Sequence, residues 1–479
     1  TMSRLSSDHL MILDAPPDAP LSSTSSSPAC SSLDSAECSS PLESHQEEDE
    51  SRFHSSLDTT AVSSLLTSEL LERFRSDFLA RPSSSLLQNA LTRNSLPDLV
   101  REHSLWPALD HSMSHRLDQP AWHVPNQRIS GRCWLFAALN LVRPIICENL
   151  QVKDIRLSAN YLYFYDKLER ANVFLRQVIS CPFLSVRHRH FEELILNAGI
   201  DGGHFQYAVN LIHKYGVIPE RCMPSTQSAR SSGVLKSMIR RQLLTTACRL
   251  REILLAAHSP QRSHLVEQCV QHCLATVYRM LCLHLGTPPQ RSSFTYERSG
   301  LTSSGGGDEE DRKAITTLND FTGPEFYRKY GKTATLDKYV MLVHDPRPTT
   351  PQYRLLELEL SENMLGSPPV RCVAVHLSDM IAATLQMLLH KKLVWFAAPF
   401  HHQIDRDEGF FHEKLFDTHS IYGTEESLNR AERMQYRLLR ANHAMTFTGV
   451  DVDLDVDPSE PNTSSAPTSS APTSSAPTS

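Results

Sequence analysis

Apolar positions recur at steps of three and four along much of the chain between residues 105 and 285, the spacing of one buried helical face. After Ser130-Gly131 the run Cys133, Trp134, Leu135, Phe136, Ala137, Ala138, Leu139, Leu141, Val142 is apolar on most faces. It predicts a central helix that ends or kinks at Pro144. Residues 157–172 predict a second helix, capped by Ser158, with aromatics on one side and charges on the other. Residues 197–204 read as a glycine loop opening onto a helix that ends at Lys214-Tyr215-Gly216. The stretch 231–285 is strongly helical; its later part, capped by Ser263, puts Val266, Cys269, Val270, Cys273, Val277 and Leu281 on one stripe. Beyond two polar breaks, at 286–289 and 303–310, the period changes. Residues 338–343 and 393–398 predict strands, 379–391 a helix capped by Ser378, and 442–450 an alternating strand headed by His443. A mainly helical amino half and a mixed carboxyl half make this an α+β chain.

Composition then divides the 479 residues. Residues 1–95 are rich in Ser, Pro and acids and predict a disordered leader with one possible helix at 63–74. Folding starts near Leu105-Trp106. The end of the chain repeats Ser-Ala-Pro-Thr-Ser, a low-complexity tail over 458–479. The folded domain is thus expected over 96–457. A net charge of -7 is a poor footprint for nucleic acid, which attracts basic faces. The 11 cysteines are odd in number and scattered, which fits a reducing compartment. No signal-peptide core stands at the N-terminus, and no stretch approaches the roughly 18 apolar residues of a membrane span. A cytoplasmic protein without a membrane partner is the expectation.

Candidate chemistry centres on Cys133. A thiol at a helix start lies at the positive end of the macrodipole, where negative charge is favoured and the thiolate is the nucleophile. The Gln127 amide, six residues upstream, and the Cys133 N–H could together hold an oxyanion. Such a thiol needs a base brought near by the fold, and His443, beside the small Ala444, is the candidate. The plainer alternatives are a buried structural cysteine and a half-exposed strand histidine. Cys269, His272 and Cys273 lie on an apolar stripe, and His401, His402, His412 and His419 on polar segments, so no metal is expected. Gly305-Gly306-Gly307 lacks the Lys-Ser/Thr of a phosphate loop, and no cofactor is expected.

The run 126–140, "NQRISGRCWLFAALN", resembles the catalytic-cysteine signature of the papain clan, and in detail its bleomycin hydrolase family, where Arg precedes the Cys. The resemblance continues in "LSANYLYFYDKLERANVFL", "DGGHFQYAVNLIHKYGVIP", "GPEFYRKY", "LVHDPRP", "LVWFAAPF" and "NHAMTFTGV", covering about residues 105–453. It implies a papain-like fold: a helical left subdomain with the nucleophile helix and a β-rich right subdomain. It implies Cys133 as nucleophile, His443 as general base and acid, and Gln127 as oxyanion donor. His443 follows Cys133 by roughly 310 residues, against about 130–150 in papain-like chains, so a large helical insertion is expected near 231–285. The family is a cytosolic cysteine aminopeptidase, assembled as a hexamer, that also hydrolyses the bleomycin amide and homocysteine thiolactone. Peptides and aminoacyl amides are the implied substrates. One departure stands out: no Asn-Ser-Trp-Gly strand follows His443, so the right subdomain is expected to be incomplete at its C-terminal end. Two classes follow, a working thiol peptidase and a catalytically impaired homologue that serves as a subunit or scaffold.

Overall fold

The computed structural model describes residues 3–5, 66–117, 123–256, 261–298, 314–331, 333–400, 403–424 and 428–452. The chain divides into two units. The smaller comprises Pro16–Trp106 and His412–Glu426, the larger Thr1–Ala15, Pro107–Phe411 and Ser427–Ser479.

In the smaller unit, Thr67 caps the first helix, accepting from Leu70 N at 3.2 Å, and the helix runs Ser68–Ala80 rather than 63–74. A second helix, Ser84–Leu91, lies inside the span whose composition pointed to disorder. Its apolar residues Leu86, Leu87 and Leu91 are too few among serines to stand out as a period. After the short helix Leu96–Val100, backbone bonds from Asp417 N to Val100 O and from Glu102 N to Leu415 O tie this segment to residues 415–417.

The larger unit is built around the Cys133–Leu150 helix. It does not end at Pro144 but passes through it and stops at Gln151, which adopts the left-handed conformation (φ 55°, ψ 50°). Proline removes one helical hydrogen bond, while Ile146, Cys147 and Leu150 beyond it are all buried and keep the last turns in the core. By length and composition this helix also meets the requirement of a membrane span, which the sequence reading missed. It is the helix at the centre of the unit, and 67% of it is buried there. The Ala159–Ser180 helix packs beside it; Ser158 Oγ caps it by accepting from Tyr161 N at 3.1 Å, and it runs eight residues past the expected end. The Phe205–Tyr215 helix packs against both and ends at Gly216.

The helical stretch resolves into two helices, Gly233–Leu255 and Arg262–Leu285, that pack on each other and on Ala159–Ser180. Leu243 and Leu250 from one, and Val270, Cys273, Val277 and Leu281 from the other, are buried in the same cluster. Cys273 is therefore a core residue. The helix starts at Arg262, one residue before Ser263.

The β structure is fragmentary. Ser292–Arg298 pairs antiparallel with Ala314–Phe321; the triple glycine between them lies outside the described residues. These two strands lie outside both expected breaks, 286–289 and 303–310, and the sequence pattern did not single them out. In the first, polar Ser and Thr alternate with Phe294 and Tyr296, a half-exposed strand pattern. Arg371–Ala374 pairs parallel with Leu342–Val343 and antiparallel with Leu355–Leu358, whose other edge takes Ser3–Leu5 in parallel. The strand expected over 338–343 shrinks to its last two residues, because Thr333–Lys338 forms a 3-10 turn. The helix expected from Asp379 runs Leu377–Leu389 with His376, not Ser378, at its cap. Val394–Ala398 pairs antiparallel with His443–Phe447, His443 opposite Ala398.

Leu281 is fully buried between the two long helices. Leu281→Ala is expected to lower stability by about 2–5 kcal/mol, read as a lower urea midpoint.

Candidate active site

Cys133 is the first residue of its helix, with Arg132 at the cap. The turn before it is held by its own side chains. Asn126 Oδ1 accepts from Arg128 N at 2.8 Å, which suits the left-handed Arg128 (φ 57°). Ser130 Oγ donates to Gln127 O at 2.7 Å and accepts from Arg132 Nε at 3.1 Å. Leu135 N and Phe136 N both close on the Arg132 carbonyl, so the N–H groups of the first turn start from there. Such donors and the macrodipole favour negative charge at this end of the helix. Cys133 itself is buried.

Arg132 was not expected inside, yet it is wholly buried. Its guanidinium carbon lies 5.3 Å from the Phe136 ring centroid and 5.7 Å from that of Tyr163, and Nη1 reaches Ser225 Oγ at 3.4 Å. Burial pulls its pKa down to about 10, which leaves it charged at neutral pH. The stacking on two rings is what a weakly hydrated guanidinium gains in exchange for water.

Gln127 is half-buried. Its backbone carbonyl is taken by Ser130, while its side-chain Oε1 is buried without a hydrogen-bond partner among the described residues. A half-turn of the amide exchanges oxygen for NH2, so the same buried end can offer a donor.

His443 heads the His443–Phe447 strand, which lies on the Cys133 helix. Thr446 Oγ1 donates to Ala137 O at 3.1 Å. From the paired strand, Trp395 Nε1 donates to Trp134 O at 3.2 Å. Ala444 is buried in the same cluster as Cys133, the small residue that this close approach needs. The His443 imidazole is half-buried and meets the Phe400 ring edge-on at 5.8 Å between centroids. Burial, and then the Arg406 charge, lower its pKa. A neutral imidazole is the form that accepts a proton. Among the described residues no side chain hydrogen-bonds this ring. Asn442, its neighbour, accepts instead from Phe400 N at 2.8 Å. So the fold brings the helix of Cys133 and the strand of His443 into contact, with Gln127 in the turn that precedes the helix.

The glycine loop closes the other side. Gly202 N donates to Gly131 O at 3.0 Å, and Gly131 N donates to Asp201 Oδ2 at 3.3 Å. At Gly203 a Cβ would stand 2.6 Å from the Trp134 ring, so only glycine lets the loop lie flat on that indole. His204 follows, buried, with Nδ1 unpartnered among the described residues and its ring edge-on to Tyr207 at 5.1 Å. Burial, then the Arg170 charge, push its pKa down to about 3. Asp201, Trp395 and Arg132 are the side chains that sequence reasoning missed. "Asp-Gly-Gly" signals a loop, and nothing local says that the carboxylate reaches back to the cysteine turn. Among the described residues no group of three His, Cys, Asp or Glu is arranged to hold a metal; His401 and His402 lie outside them.

A mixed α+β fold with a cysteine heading a buried helix, and a histidine strand bonded across that helix, is a papain-like architecture. The chain belongs to the Peptidase C1-like family, which it matches over residues 65–461. It is 29% identical over 389 residues to aminopeptidase E of Lactobacillus helveticus, covering 81% of this chain and 84% of that protein. To bleomycin hydrolase of Homo sapiens it is 26% identical over 412 residues, 84% and 85% of the two chains. The crystal structure of PepW from Lactobacillus rhamnosis HN001 superposes with a TM-score of 0.73 at 29% identity, covering 82% of this chain and 84% of that one. The family match reaches back to residue 65 and so takes in the Ser68–Ala80 and Ser84–Leu91 helices.

His204 gives a pH test. Its unfolded form protonates near 6.5 and its folded form only near 3. Between those values the unfolded chain binds the extra proton, so stability falls on acidification by up to about 1.4 kcal/mol per pH unit. His204→Gln is expected to flatten the dependence of the urea midpoint on pH between 6.5 and 5.

Proposed function

We propose that this chain is a cysteine-type aminopeptidase that cleaves amino-terminal residues from peptides and hydrolyses aminoacyl amides. Cys133 is the nucleophile, His443 the base and then the acid, and Gln127 with the Cys133 N–H the oxyanion donors. The observation that carries this is the pair of bonds laying the His443 strand and its partner Val394–Ala398 on the Cys133 helix, in a member of a peptidase family whose relatives are named aminopeptidases. His443 takes the thiol proton, and the sulfur attacks the carbonyl carbon. Its oxygen gains negative charge facing the two donors. His443 then gives the proton to the amide nitrogen, the C–N bond breaks, and the amine leaves. Water, deprotonated by His443, attacks the remaining thioester; the C–S bond breaks, the acid is released, and His443 returns its proton to the Cys133 sulfur. Burial favours the neutral His443 that begins this cycle. Homocysteine thiolactone presents an activated carbonyl to the same thiolate and belongs to the proposed substrate range.

The peptidase domain is proposed to span about 96–457 with its helical insertion near 231–285, working in the cytoplasm as a homo-hexamer. A second reading, a catalytically impaired subunit or scaffold of the same fold, is favoured by one observation: no described side chain orients the His443 ring.

Hydrolysis of aminoacyl-coumarin amides separates the two. Turnover is expected in the wild type, with kcat/KM reduced by about 10³-fold or more in Cys133→Ala and in His443→Ala. Release no faster than that of the Cys133→Ala protein leaves the scaffold reading. Sedimentation at several concentrations checks the hexamer.

A further inference from the structure

We propose that Asp201 is a positioning residue for the turn that carries Cys133, and that the helical insertion takes part in the site by holding Asp201 through Ser232 and Lys236. The proposal rests on the reading of Cys133 as a reactive thiol.

Asp201 is buried and is met from three segments. Its Oδ2 accepts from Gly131 N at 3.3 Å, two residues before Cys133, and from Ser232 Oγ at 2.5 Å. Its Oδ1 accepts from Tyr163 OH at 2.7 Å and lies 3.1 Å from Lys167 Nζ, both on the Ala159–Ser180 helix. Lys236 Nζ, from the first turn of Gly233–Leu255, is 3.6 Å from Oδ2. Burial alone would raise the carboxyl's pKa; Lys167, Lys236, Ser232 and Tyr163 outweigh it and hold the group ionised.

The turn has almost no room to move against this group. A Cβ at Gly131 would sit 2.5 Å from Asp201 Cβ. On the opposite edge Ile129 is bridged in parallel to Ser231, and Ser232 N donates to Ile129 O at 3.3 Å. Residues 129–131 are therefore clasped between the glycine loop and the entrance of the insertion, and the two sides of the clasp meet at Asp201 Oδ2. The cations around it also exceed the anions. Asp166, buried on the same helix, sits 3.3 Å from Lys167 Nζ and 3.8 Å from Arg170 Nη1, so Lys167, Lys236 and Arg170 face Asp166 and Asp201. Removing one cation or the carboxylate unbalances the clasp two residues from the sulfur, and small misplacements of a reacting group cost far more rate than binding.

The test measures alkylation of Cys133 by iodoacetamide, with exposed Cys248 as the internal reference by peptide mass spectrometry. It is combined with kcat, KM and thermal melting. Lys236→Met is expected to slow Cys133 relative to Cys248 about fivefold and to lower kcat to a similar extent at unchanged KM, with Lys236→Arg restoring both. Asp201→Asn, which keeps an acceptor for Gly131 N and drops the charge, is expected to do the same more strongly. Lys236, at the edge of the cluster, provides the variant that folds if Asp201→Asn does not. A Cys133/Cys248 ratio that is unchanged or faster in folded Lys236→Met, with only the melting point lowered, reduces the cluster to structural support and overturns the proposal. Absence of wild-type turnover with normal Cys133 labelling overturns the peptidase reading instead, and the labelling ratio still decides this one.

Discussion

Two side-chain donors, Trp395 Nε1 and Thr446 Oγ1, bond to backbone carbonyls of neighbouring residues on one helix, Trp134 O and Ala137 O. A helical carbonyl already accepts from the residue four ahead and keeps a second lone pair for such a partner. The two donors come from opposite strands of a single ladder, and Trp395 and Thr446 face each other across it. Together they fix the height and the roll of the strand pair on the Cys133 helix. Everything asked of His443 depends on that registration, because a side chain at the head of a strand goes where the strand is set. Ala444 makes the approach close enough for the bonds to form.

Around this contact the protein buries charge. Arg132, Asp166, Lys167 and Asp201 are all buried beside the cysteine turn. Taking an ion from water costs several kcal/mol unless partners replace it, and losing one partner leaves the full penalty of the other. The replacements are specific: two aromatic rings for Arg132, backbone and hydroxyl donors for Asp201, a backbone carbonyl for Lys167. An apolar filling of the same volume would pack as well but would not grip a backbone N–H of the turn. Polar burial therefore makes sense as a device for geometry, here at the turn that precedes Cys133.

Much of this was legible in the sequence where the information is local. A thiol after Ser-Gly at the head of an apolar run gave the Cys133 helix start, and alternation around Ala444 gave the His443 strand. Ser158 gave its cap, and steps of three and four gave the helical stretch 231–285, which the structure divides into two helices. What the sequence hid was decided at a distance. Pro144 reads as an end or a kink, yet buried Ile146 and Leu150 carry the helix past it. Val340 and Met341 have strand propensity, yet the chain enters through a 3-10 turn and only Leu342–Val343 find a partner. The strand Ser292–Arg298 is too polar to suggest itself without its mate. Asp201 lies roughly 70 residues from the turn it holds, beyond the reach of any periodicity or capping rule.

The parallel bridge between Ile129 and Ser231 bears on how length can vary in this family. The entry to the helix pair Gly233–Leu255 and Arg262–Leu285 is sewn to the peptide immediately upstream of the thiol, so the pair is tethered at one end. Additions and deletions find tolerance at the far end of the helix pair, between Leu255 and Arg262. Shortening at the near end shifts Ser231 and with it the cysteine turn. A minimal version of this protein would thus have to keep the first turn of the Gly233–Leu255 helix even if the rest of the pair were replaced.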